Sequence, residues 1–190
     1  MVKTPNSPKP YTLKQAVRKA RKDSHIKSIE KRGYFFNSGF LMLQSNQTMW
    51  DKWILTFYNT GADRVIKVDV EKGKKPVEIG KPSKAANPTK QLLDLKKIKA
   101  SASRILKKAR KEFAKFKQPY NQVIITVSGD PPVWKINFVT KILSVVIVEI
   151  DAKNGKVLNS SIESLMKIEQ KQHQKQPFQG GVEDTTVSTS

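Results

Sequence analysis

The sequence predicts an α+β protein built as two tandem units, each a helix packed on a three-stranded antiparallel sheet. Three observations carry this. A basic amphipathic helix is followed by alternating apolar strands, and that order occurs twice. A strand led by tryptophan recurs, as WILTF at 53–57 and WKINF at 134–138. Each series closes on a glycine turn, VDVEKGK at 68–74 and VEIDAKNGK at 148–156. The helices AVRKARK (16–22) and ILKKARK (105–111) lie 89 residues apart, the tryptophans 81 and the turn glycines 82. A period this long implies two domains in tandem rather than a solenoid.

The expected organisation is a disordered tail over 1–10, a first unit over 11–80, a linker over 81–93 and a second unit over 94–160, then a short helix and disordered tail over 161–190. The first ten residues hold three prolines and little apolar material. Thr12 stands at an N-cap position before Leu13, Ala16, Val17 and Ala20, one apolar stripe at helical spacing. GYFFNSGFLML (33–43) reads as two extended pieces around a turn at Asn37-Ser38-Gly39. KWILTFYN (52–59) alternates and is rich in aromatic and β-branched residues, so it is a strand. RVIKVDV (64–70) sets Ile66, Val68 and Val70 on one face. GKPSKAANPTK (80–90) has the prolines and small polar residues of a linker.

The pattern then restarts. Ile105, Ala109, Phe113 and Phe116 follow helical spacing, with Ser101 or Ser103 as the cap. QVIITVSG is a strand, and Asp130-Pro131-Pro132 is a turn because proline cannot sit in a central strand. VWKINFVT and SVVIVEI are two further strands. Trp53 and Trp134 anchor the two cores from the middle strand of each unit. Beyond Ile162, residues Leu165, Met166 and Ile168 suggest a short amphipathic helix before a small, polar tail.

Composition bounds the function. The 190 residues include 36 Lys+Arg against 16 Asp+Glu, a formal net charge of +20, which attracts polyanions and also favours solubility. The absence of cysteine removes disulfides, thiolate zinc sites and cysteine nucleophiles. The longest apolar run, Ile142–Ile150, contains Ser144 and Glu149 and falls far short of the roughly twenty residues of a membrane-spanning helix. The basic N-terminus has no apolar segment after it, so it is not an intact secretory signal. The compartment stays open: cytoplasmic as the sequence stands, extracytoplasmic if a leader is removed.

The helix AVRKARK, the tryptophan-led strand, and the endings VDVEKGK and VEIDAKNGKVL together resemble the PepSY domain family, which has cystatin-like α-β-β-β units. The resemblance runs over about Thr12–Val77 and Asp94–Leu158. It is carried best by Trp134, Phe138, Val148, Ile150, Asp151, Gly155 and Val157. The first unit departs from the pattern where Lys75-Pro76 precede Val77. The resemblance implies non-enzymatic domains outside the cytoplasm or attached to membrane proteins, which bind or inhibit peptidases. It supplies no catalytic residue.

The residues themselves give no case for an enzyme, a cofactor or a metal. His25 and His173 have no ligand-spaced partner, and Lys72, Lys74 and Lys153 crowd the acids of the turns. Asp69, Gly73, Asp151 and Gly155 are read as turn residues, the aspartates bracing backbone N–H groups and the glycines allowing positive φ. The remaining signals are two. Arg18, Lys19, Arg21, Lys22, Lys107, Lys108, Arg110 and Lys111 offer a basic helical face to nucleic acid or another polyanion, or simply a solvated surface. Open strand edges offer β-augmentation by a partner peptide, or homodimerisation. The expected function is therefore a protein- or peptide-binding module. Polyanion binding and a structural role in the cell envelope are the alternatives.

Overall fold

The computed structural model describes residues 9–84 and 91–164. Helix α1 (Leu13–Ala20) is closed at its start by a capping box: the Thr12 hydroxyl accepts the Gln15 amide, and the Gln15 side chain accepts the Thr12 amide. A second helix, α2 (Ser24–Lys31), follows at once and is absent from the sequence expectation. Asp23 caps it, accepting the amides of His25 and Ile26. Then come β1 (Phe35–Gln44), β2 (Lys52–Asn59), β3 (Arg64–Glu71) and β4 (Val77–Lys84). Helix α3 (Ala102–Phe113), capped by Ser101, tightens into a 3-10 turn at Ala114–Phe116. It leads to β5 (Tyr120–Ser128), β6 (Val133–Thr140), β7 (Ser144–Asp151) and β8 (Val157–Ser164).

The α+β class stands, but the expected pair of three-stranded units does not. All eight strands form one antiparallel sheet in the order β4-β3-β2-β1-β5-β6-β7-β8. The joint is the pairing of β1 with β5, in unbroken register from Ser38 opposite Ser128 to Gln44 opposite Gln122. Each helix-to-strand series supplies four strands rather than three, and the first strands of the two series lie at the centre. The supposed turn at Asn37-Ser38-Gly39 is an irregularity inside a continuous strand: the register of β1 against β2 shifts between Phe36 and Ser38. A bulge adds one residue without ending a strand, and its polar, small residues imitate a turn. Residues 81–84, expected in the linker, complete β4, and 161–164, expected in the C-terminal helix, complete β8. The rest of the proposed tails, residues 85–90 of the linker, and His173 lie outside the described residues.

The core lies on one face of the sheet, under the helices. Leu13, Ala16, Val17 and Ala20 of α1 are buried against β2 and β3, and Ile105, Leu106, Ala109 and Phe113 of α3 against β6 and β7. The strands meet them with alternate residues: Trp53, Leu55 and Phe57; Ile66, Val68 and Val70; Val123, Ile125 and Val127; Trp134, Ile136 and Phe138. Phe113 stacks on Phe138 with ring centroids 4.5 Å apart, and Tyr120 meets both edge-on. The opposite face is only partly exposed and mixed, with Phe40, Ile54, Ile124 and Ile147 beside Thr56, Thr126 and Asn137. An antiparallel sheet tolerates such a solvated face.

Candidate functional site

Trp53 and Trp134 do more than fill two cores. Their rings face each other across the seam, centroids 6.3 Å apart. The Trp53 indole N–H donates to the carbonyl of Tyr11 at 2.7 Å, and that of Trp134 to the carbonyl of Ala100 at 3.2 Å. Tyr11 and Ala100 each precede the cap of a helix, Thr12 and Ser101. The tryptophans thus pin the start of α1 and of α3 to the sheet. Trp50 adds a second N–H to the Tyr11 carbonyl at 2.8 Å.

The turn acids behave differently from each other. Asp151 accepts the amides of Lys153 at 2.6 Å and Asn154 at 3.1 Å through Oδ1, and the Asn154 side chain through Oδ2. Gly155, with φ of +76°, closes the turn. Gly73 likewise has φ of +83°. Asp69 braces no turn: it lies within β3, pairs with Lys52 at 3.0 Å, and leaves Oδ1 buried without a hydrogen bond. The register explains the difference. Trp53 faces Val70 and Trp134 faces Ile150, so the counterpart of Asp151 is Glu71, not Asp69. The second turn is longer, and matching the two by the acid-to-glycine interval alone slips by two residues. Among the described residues no three His, Cys, Asp or Glu side chains come together, and His25 is paired with Glu78 at 2.8 Å.

The eight basic candidates divide evenly. Lys19 donates to the carbonyl of Glu71 and Lys108 to that of Gly155, both at 2.6 Å, tying α1 and α3 to the turns that follow β3 and β7. Arg21 pairs with Glu30 at 3.1 Å. Arg110 reaches across the seam to the carbonyls of Ser45 and Gln47, at 3.1 and 2.8 Å. Arg18, Lys22, Lys107 and Lys111 are exposed, with no hydrogen bond or ion pair among the described residues. The structural cations were missed because a lysine bound to a carbonyl carries no sequence signal apart from position on the helix.

The two sheet edges also differ. Strand β4 contains Pro82 and Gly80 with φ of +68°, carries Lys81 and Lys84, and its register against β3 is irregular between Val65 and Lys67. Proline, lysine and bulges blunt an edge against further pairing. Strand β8, VLNSSIES, has neither proline nor lysine, and exposes Leu158 at 53% and Ile162 at 44%. Its pairing with β7 is regular from Ser144 opposite Ser164 to Glu149 opposite Asn159, then shifts by one residue at Leu158, so that Ile150 faces Val157.

No family model matches the sequence, and no curated protein matches it. The fold is similar to the crystal structure of a protein described as a "putative lipoprotein" from Clostridium difficile 630. The two are 15% identical with a TM-score of 0.51, over 83% of this protein and 96% of that one. At that identity the likeness concerns the fold alone. Among the described residues no helix is long and apolar enough to cross a membrane.

Proposed function

We propose that this protein is a non-enzymatic binding module that accepts a partner's extended peptide as a further strand beside β8. The observation that carries the proposal is the asymmetry of the edges. Both edges expose apolar side chains, Val77 and Ile79 on β4 and Leu158 and Ile162 on β8, and each has one register shift, but only β4 carries proline, lysine and a positive-φ glycine. Backbone hydrogen bonds along such an edge supply affinity, and pockets for alternate side chains supply selectivity. The PepSY-like residues Trp134, Asp151 and Gly155 support the finer reading, in which the two halves descend from one duplicated unit and the partner is a segment of a peptidase or its prodomain. A location in the cell envelope goes with that reading.

The experiment is amide-shift mapping of the full-length protein on titration with extended peptides from peptidase prodomains. The expected shifts run along Val157–Ser164, and Leu158→Lys with Ile162→Lys weakens binding about tenfold or more, through lost apolar contact and charge on the edge. Shifts scattered over the surface, or an unaffected double variant, would refute strand addition at this edge.

A second reading rests on the four uncommitted cations of α1 and α3, which project from the same side of the sheet. Arg18, Lys22, Lys107 and Lys111 could meet the phosphates of a polyanion without reading its sequence. Its test is the salt dependence described in the Discussion.

A further inference from the structure

The molecule has a concave feature away from β8, at the seam where the two halves meet. A cavity of about 190 Å³ opens there, lined by Tyr11, Leu13, Trp50, Ile98 and Trp134. A cavity of about 150 Å³ accommodates benzene, and drug-sized pockets begin near 300 Å³. The space therefore suits one aromatic ring or one branched aliphatic group.

Its charged lining is of one sign, beside the hydroxyls of Thr12, Ser101 and Ser103. Lys14 and Lys99 line the cavity, and no aspartate or glutamate does. Neither ammonium group has a hydrogen bond or ion pair among the described residues. Tyr11 is only 6% exposed, and its hydroxyl has no hydrogen-bond partner among the described residues. A phenol at its ordinary pKa of 10.0 already keeps its proton at neutral pH, and burial raises the value further against the opposing pull of the Arg18 cation. The first-turn residues of both helices, Leu13 and Lys14 of α1, Ala102 and Ser103 of α3, also line the space, and their amides have no acceptor within the helix. Lys99 further borders a second, larger concavity of about 400 Å³, with Lys96, Lys97 and Lys153. The two carboxylates of that concavity are already engaged, Asp130 by Lys97 at 2.6 Å and Asp151 by its own turn. The cavity lining thus carries two lysines whose ammonium groups have no ion-pair partner among the described residues.

We propose that the seam cavity binds an apolar carboxylate, with one ring or branched aliphatic group against Trp50 and Trp134 and the carboxylate met by Lys14 and Lys99. A free aryl or alkyl acid and a peptide ending in an apolar residue share this chemistry. The site is separate from the β8 edge and stands or falls independently of it.

The test is titration of the full-length protein, followed by tryptophan fluorescence and calorimetry, with 3-phenylpropionate, its alcohol 3-phenylpropanol, and acetyl-Ala-Ala-Phe as the free acid and as the amide. The acids are expected to bind at one saturable site, and the alcohol and amide at least about tenfold more weakly, as the loss of a charge-assisted contact implies. Preference for the peptide acid over phenylpropionate identifies a peptide's carboxyl terminus as the ligand, and the reverse a small acid. Lys14→Gln with Lys99→Gln, both at exposed positions, should erase the preference for acids while leaving the alcohol's affinity unchanged. Ser103→Trp, also exposed, should obstruct the mouth and abolish binding of all four probes, with an unchanged circular dichroism spectrum as the check on folding. Absence of saturable binding, equal binding of acid and alcohol, or an acid preference that survives the double lysine variant would each overturn the proposal.

Discussion

Gly39 is where α1 comes closest to the central strand. A Cβ built on it would stand 2.5 Å from Cδ1 of Leu13 and 3.5 Å from Cγ1 of Val127. Carbon atoms pack best at about 3.5–4.0 Å, so the methyl of Gly39→Ala requires Leu13 to move by roughly 1 Å. Leu13 is the first residue of α1 and is 5% exposed, so it has little room to turn aside. Overpacking of this kind costs about 1–3 kcal/mol. The stiffer unfolded state of an alanine variant returns about 0.4–1 kcal/mol. The net expectation is a destabilisation of up to about 2.6 kcal/mol, centred on about 1.3 kcal/mol, which at an m-value near 2 kcal/mol/M lowers the urea midpoint by about 0.6 M. The assay is urea unfolding followed by tryptophan fluorescence. The companion variant is Leu13→Ala, which alone costs about 2–5 kcal/mol as a core truncation. Because the two side chains compete for one space, the double variant should be less damaged than the sum, by about 1 kcal/mol or more. A stabilising Gly39→Ala, or strict additivity with Leu13→Ala, would refute the close approach of α1 to β1.

The remaining predictions concern the turn acids, the buried phenol and the basic helices. Asp151→Ala removes three bracing hydrogen bonds and should cost about 1–2 kcal/mol, like the loss of a helix cap, whereas Asp69→Ala removes one exposed ion pair and should cost under about 1 kcal/mol; parallel urea titrations compare them. Tyr11 has a folded-state pKa above its ordinary 10.0, so its contribution to stability is complete below pH 10 and is lost as pH rises through the folded value. Tyr11→Phe should therefore lose less stability than the parent between pH 10 and the folded pKa, with little change at neutral pH because the hydroxyl has no partner to lose among the described residues; identical pH profiles would contradict it. For the polyanion reading, replacing Arg18, Lys22, Lys107 and Lys111 with serine should reduce the slope of log affinity against log salt by about 3–4, at about 0.9 per duplex phosphate contact. Filter binding at low and high salt measures this, and no retention by the parent at low salt ends that reading. Lys19→Ala and Lys108→Ala should instead lower thermal stability and leave the salt slope unchanged.

What the sequence reveals of this fold follows the physics of each strand. The interior strands β2, β3 and β6 show alternation because one face meets the helices, and Trp53, Ile66 and Trp134 mark that face, whereas β7 is legible as an apolar run on both faces, Val145–Val148. Thr12 and Ser101 announce their helices because an N-cap is a local interaction. Helix α2 is nearly silent, having only Ile26 and Ile29 to bury, although Asp23 caps it. The edge strands are silent for a different reason: β4 and β8 are exposed on most positions, so GKPSK and NSSIES have the composition of loops while their backbones pair on one side. The site was legible to the same limited degree. Composition picked out the basic helices but could not separate Lys19 and Lys108, spent on carbonyls, from Arg18 and Lys107. The seam cavity joins residues from distant segments, Trp50 and Ile98 among them, and no local spacing records that.

The joint between the halves did leave a trace. From Gly33 to Trp50 and from Gln118 to Gly129 there is no charged residue, and these two stretches contain β1 and β5, the strands that pair at the centre. Every other strand of the described residues carries at least one charge, on the solvated face or at an end. A central strand is flanked on both sides, and its side chains on the open face, such as Phe40 and Ile124, lie among neighbours rather than at a rim. A charge beside Phe40 or Ile124 would be partly desolvated by these neighbours, although Met42 on the same face of β1 is 50% exposed. An uncharged strand in a protein of net charge +20 is therefore informative, because the background supply of lysine is high. The same reasoning separates the two edges. Lysine is abundant enough to guard both, yet it occurs on β4 and not on β8. In a protein this basic, the absence of lysine from β8, whose one charge is Glu163, is what the proposal of strand addition rests on at this edge.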